Sequence, residues 1–251
     1  MEGERDELGD ELKIRTFAVP GALAIAVLFH SFALGQFLQR TFFSMWLHEL
    51  GHATAAWLCG RPSVPGPWFT PVAAERSWVF ALLVSAGLAY GIWRFRDSEQ
   101  GPWLRRLLGA VLVVQLGCTL LLTPSAVERF ILFAGDAGAL VFGTLLMASI
   151  FVPRGSLLHR GWLRWGLLAI GAAAFVDVFS LWWGARTDID LIPFGQNEGM
   201  GLSDPSRLAD DYGWTPRQLV NRYLGVGVTC LVMLTGLKVT AVLRARAAAA
   251  R

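Results

Sequence analysis

The sequence predicts an all-α protein, a polytopic transmembrane helical bundle of about seven spans folded as one domain. Composition is the first observation: of 251 residues, 54% are hydrophobic and only 16% charged, and the mean hydropathy is +0.48. That balance belongs to a chain embedded largely in lipid, not to a water-soluble domain with one apolar helix. The second is that apolar runs of membrane length recur from one end to the other. The third is where the tryptophans stand. Trp78, Trp93, Trp162, Trp182 and Trp183 fall near the ends of those runs, where an amphipathic indole anchors a helix at the membrane interface.

Residues 1–15, MEGERDELGDELKIR, read as a charged tail, acidic where a secretory signal would be basic. Residues 16–251 form the single membrane domain. Spans are expected at about 17–36, 41–60, 78–95, 106–123, 127–152, 163–183 and 222–243. Pro20 is tolerable because it sits in the opening turn of the first. Residues 61–77, with Pro62, Pro65, Pro67 and Pro71, cannot be helical and read as a rigid loop. Pro124 introduces the fifth span, with Ser125 and Glu128 spaced as a capping box, which gives Glu128 a structural task.

The longest polar stretch is an extramembrane loop at about 184–216. Within it, Ser203-Asp204-Pro205 starts a short helix that Gly213 stops, and Thr215-Pro216 with Gln218 starts the last helix. Cys59, Cys118 and Cys230 lie in apolar segments without CxxC spacing, so they imply neither a disulfide framework nor a thiolate metal site.

Orientation follows from arginines. Arg94, Arg96, Arg105 and Arg106 flank one turn, Arg154, Arg160 and Arg164 another, and Arg244, Arg246 and Arg251 end the chain. With seven spans these clusters share one side, which the positive-inside rule makes cytoplasmic. The N-terminus and the 184–216 loop are then expected outside.

The chemistry concentrates in the second span, TFFSMWLHELGHATAAWLCG. Ionisable residues at bilayer depth are costly, and three of them in five positions need a function. His48 and His52 are i and i+4 and share a helix face. They can bind one metal, with Glu49 beside it as general base, the HExxH arrangement of zinc proteases. Thr41, Ser44, Gly51, Ala55 and Cys59 on the same stripe are small enough for a face turned into a bundle. His30 reads as a hydrogen-bonded bundle histidine and Cys59 as an apolar filler.

A catalytic zinc takes three protein ligands and keeps a position open. The remaining carboxylates inside spans are Asp136 and Asp177, and one of the two is expected to complete the site. Asp136 is preferred. At ~1.5 Å per residue its depth nearly coincides with that of the histidines, and Gly135, Ala137 and Gly138 would let its helix approach closely. Asp177 lies somewhat higher but within reach of a tilted helix.

HELGH in a span followed by an intramembrane Asp resembles the site-2 protease class of intramembrane zinc metallopeptidases, and its M50B-like branch most closely. Ala134, Gly135, Gly138, Phe142 and Gly143 match the AGxxGxxxFG helix of that branch, and Ser203, Asp204 and Ala209 match its SDAxxxA-type segment. The resemblance implies zinc as cofactor, His48 and His52 as ligands, and Glu49 as base. It does not transfer a third ligand, because the NPDG-type motif of the wider class is absent. The CAAX-processing class takes a downstream Glu instead; Glu75, Glu99 and Glu198 lie outside spans, and Glu128 stands in the capping turn at the start of one. The expected function is zinc-dependent hydrolysis of peptide bonds in membrane-embedded or membrane-adjacent segments. The expected partners are the lipid bilayer and a membrane protein or peptide substrate, with no nucleic acid. The rival readings are a catalytically inactive relative that binds membrane segments, and a metal carrier, for which the spans hold too few polar residues.

Overall fold

A computed structural model describes residues 2–97, 101–152, 156, 158, 161–197 and 201–249. Helix α1 (Glu2–His30) takes in residues 2–15, which are therefore helical and not a loose tail. Glu11 is buried, with Arg15 at 2.9 Å and Arg164 at 3.4 Å. The expected first span at 17–36 is cut at Ser31-Phe32. There the chain turns into α2 (Ala33–Gln39), and Gly35 lies so close to the Phe29 carbonyl that any side chain would collide. Gln39 ties the turn down: its Nε2 donates to the Ala26 carbonyl at 2.8 Å, and its Oε1 lies 2.9 Å from His30 Nδ1. His30 is thus a hydrogen-bonded bundle histidine.

A π-helical turn, Arg40–Ser44, joins α2 directly to α3 (Met45–Leu58). The loop after α3 is non-helical as expected. Its strands meet at Ser63 and Val72, and Arg76 pins its end by donating to the Cys59 and Leu122 carbonyls, each at 3.1 Å. Then come α4 (Trp78–Arg94), capped by Ser77, α5 (Gly101–Leu121), α6 (Pro124–Ala148) and α7 (Leu163–Gly184). The cap of α6 is Thr123, whose hydroxyl accepts from Ala126 N at 3.3 Å. The Ser125–Glu128 box does not form, and Glu128 pairs instead with Arg207 at 2.9 Å.

Residues 196–197 and 201–202 make a two-stranded antiparallel ribbon ahead of α8 (Asp204–Asp210). The final helix α9 (Pro216–Ala249) opens with the expected box: Thr215 N donates to Gln218 Oε1 at 3.0 Å, and Gln218 N to Thr215 Oγ1 at 3.3 Å.

The fold is an all-α bundle in which, among the described residues, five helices are long and apolar enough to cross a membrane: the Gly9–His30 part of α1, α5, α6, α7 and α9. Helix α4 is a shorter apolar helix of 17 residues. Helix α3, of 14 residues and continuous with α2 through the π turn, packs against α6. Of the seven expected spans, five are met by helices of spanning length among the described residues.

The N-terminal part of α1 and the C-terminal part of α9 lie at the same end of the bundle. Glu11 meets Arg164 at the start of α7, and α1 and α9 both pack on the 3-10 turn Ser149–Phe151 that finishes α6. The core runs through Leu140, Phe175, Trp182 and Tyr223. Trp182 is fully buried and stacks on Tyr223 with centroids 4.2 Å apart, so it is a core residue and not the interface anchor expected of it.

Candidate metal centre

Three glycines bring α3 onto α6. A side chain at Gly51 would strike the Ala134 carbonyl, and one at Gly138 would strike the Gly51 backbone. A Cβ at Gly135 would stand 2.7 Å from Nε2 of both His48 and His52. The two helices run antiparallel, so His52 meets Ile131 and His48 meets Asp136, five residues further along α6.

Those meetings fix the tautomers. Nδ1–H of His52 donates to the Ile131 carbonyl at 2.7 Å, and Nδ1–H of His48 donates to Asp136 Oδ1 at 2.9 Å. In its neutral form each ring then presents an unprotonated Nε2. The two Nε2 atoms lie 3.0 Å apart, and Asp204 Oδ2 closes the triangle at 3.2 Å from His48 and 3.0 Å from His52. Three lone-pair atoms facing one another repel unless a cation stands among them. Zinc bonds of ~2.0–2.1 Å in tetrahedral geometry place ligand atoms about 3.3 Å apart. His48, His52 and Asp204 thus form a donor set that could hold a metal ion, and its chemistry and spacing are compatible with zinc.

The third position corrects the expectation. Asp136 does not converge with the Nε2 atoms. Its Oδ1 lies behind His48, and its Oδ2 accepts from the Trp182 indole at 2.7 Å. A carboxylate that receives the Nδ1 proton of a ligating histidine orients the ring and raises its basicity. Asp177 belongs to another cluster, with Arg40 Nε at 2.8 Å, the Ser44 hydroxyl, and His30 at 3.9 Å. A carboxylate already matched by a guanidinium does not need a metal.

Asp204 comes from outside the membrane-spanning helices, on α8. Ser203 caps that helix, Ser203 N donates to the Gly195 carbonyl at 2.9 Å, and the Arg207–Glu128 pair ties it to α6. Burial alone would raise the Asp204 carboxyl, but the two histidines facing it, when protonated, hold it well below the usual carboxylate range. The signal that could have found it was the SDPSRLA likeness, which sequence reading absorbed as a helix cap.

Glu49 is buried, and Thr70 Oγ1 donates to its carbonyl at 3.0 Å. With His48, His52 and Asp204 it lines a polar cavity of about 720 Å³, walled on the loop side by Trp68 and Phe69. Comparisons with protein-family models, curated proteins and solved structures find no match for this chain.

Proposed function

We propose that this chain is an intramembrane zinc metallopeptidase that hydrolyses peptide bonds of membrane-embedded or membrane-adjacent segments. The observation that carries the reading is the convergence of two Nε2 lone pairs and one carboxylate oxygen beside a buried Glu49, in a cavity inside a bundle of apolar helices. The resemblance of HELGH and its companion motifs to the site-2 protease class supports it.

Zinc bound there would supply Lewis-acid polarisation of the scissile carbonyl and of a water molecule. Glu49 would act as the base that takes a proton from the attacking water and delivers it to the leaving amine. Asp136 and Trp182 hold His48 so that Nε2, not Nδ1, faces the cavity. Trp68 and Phe69 present apolar surface to the substrate beside a polar floor. The reading of an inactive relative needs an empty third-ligand position, and Asp204 weighs against that.

The orientation that goes with this reading has the arginine-rich end in the cytoplasm. The N-terminal part of α1 lies at that same end, so both termini are cytoplasmic and the α8 segment is outside. This replaces the external N-terminus expected from seven spans.

The test is metal analysis joined to cleavage. Purified wild-type protein should hold about one zinc per chain. His52→Ala should lose it, and Glu49→Gln should keep it while cleaving no membrane peptide. Equal zinc content in wild type and His52→Ala would defeat the proposal.

A further inference from the structure

Arg61 follows the last turn of α3, where Gly60 at φ +73° reverses the chain and Arg61 N donates to the Ala56 carbonyl at 2.8 Å. Its side chain lines the same cavity as His48, Glu49, His52 and Asp204, yet the residue is only 9% exposed. Among the described residues it has no ion pair and no side-chain hydrogen bond. Other arginines around the site are matched: Arg76 by two carbonyls, Arg207 by Glu128 and Arg40 by Asp177.

A buried guanidinium without an anion is strongly unfavourable, so this one calls for a ligand. The charge around the cavity says which sign. Of the charged groups that line the cavity, Asp204 faces the two histidines and Glu128 pairs with Arg207, so Arg61 is the lining cation without a paired carboxylate.

We propose that Arg61 is the anion-recognition residue of this cavity and that it receives a carboxylate of the peptide substrate. The proposal rests on the metallopeptidase reading and narrows it to substrates with a negative charge near the scissile bond. The planar fork of a guanidinium matches a carboxylate in two parallel hydrogen bonds, and in a site shielded from water such a pair is worth more than at a surface. The carboxylate has two sources on a peptide, its C-terminus or an Asp or Glu side chain. Arg61 sits on the loop that also carries Trp68 and Phe69, so the charged and apolar parts of one segment can be held together.

The experiment measures binding, not cleavage. Full-length Glu49→Gln protein, zinc-loaded in detergent, is titrated with three labelled apolar peptides: one with a free C-terminus, one amidated, and one amidated with an internal Glu. At least one carboxylate peptide should bind about tenfold or more tightly than the plain amide. Arg61→Gln in the same background should erase the difference, and Arg61→Lys should keep part of it. Which carboxylate peptide wins assigns the source.

Equal affinity for all three peptides, binding of none, or a preference that survives Arg61→Gln overturns the proposal. Should Arg61→Gln fail to fold, the peptide ranking and the Lys variant decide. Zinc content of the same samples reports on the metal separately. A protein that prefers the carboxylate peptides but holds no zinc keeps the Arg61 site and loses the peptidase.

Discussion

Asp136 stands 2.9 Å from Nδ1 of His48, on the opposite edge of the ring from His52. The carboxylate therefore acts on a metal through the ring, and the size of its effect should differ from that of a ligand. Asp136→Ala is expected to weaken zinc binding ~10–100-fold, Trp182→Phe less, and Asp204→Ala more than either. Zinc affinities measured by chelator competition check the order, and an Asp136→Ala loss larger than that of Asp204→Ala would reverse the assignment.

Gly135 offers a sharper probe. A methyl group there would lie 2.7 Å from both Nε2 atoms, and α6 cannot retreat, because Gly51 and Gly138 already hold the backbones together. Gly135→Ala should abolish zinc binding while the helix content stays. Gly166→Ala in α7, where a Cβ meets nothing within 4 Å, should leave zinc and thermal stability unchanged. Circular dichroism and metal analysis on both variants decide it, and a zinc-loaded Gly135→Ala protein would contradict the geometry.

Asp177 should prove structural. Replacing it with Asn takes the countercharge from Arg40 and leaves the metal ligands untouched. A lowered melting temperature with zinc stoichiometry still about one is the expected result. Loss of zinc at unchanged melting temperature would return Asp177 to the metal site.

The termini provide a topological test. Reporter fusions at residue 1 and after residue 251 should report the same side of the membrane, because Glu11 and the end of α9 share one end of the bundle. Reporters on opposite sides would contradict the shared end of α1 and α9.

What could be read in advance, and what could not, divides along physical lines. The histidine pair and Glu49 were legible because i, i+4 spacing sets a face and lipid makes charge conspicuous. Gly135 and Gly138 were legible as a place of close approach. Depth arithmetic brought Asp136 level with the histidines, but depth does not say which nitrogen of a ring a carboxylate meets. Asp204 escaped because the search for a third ligand stayed inside the spans, whereas α8 folds back over the cavity from outside. The break at Ser31-Phe32 escaped because hydropathy runs through it unchanged; the turn is set by Gln39 reaching back to Ala26 and by the bare Gly35.

The π-turn at Arg40–Ser44 gives the protein an unusual genetic fragility. An α-helix advances ~100° per residue, and a π-turn accommodates one residue more than α-helical geometry requires. Upstream of it, Gln39 and Arg40 are phased to α1 and α7; downstream, His48 and His52 are phased to α6. Deleting any one codon between 40 and 44 would heal the helix into plain α geometry and turn one of those faces by about a quarter of a revolution. Lineages carrying this arrangement should therefore tolerate substitutions in those five positions far better than a change in their number.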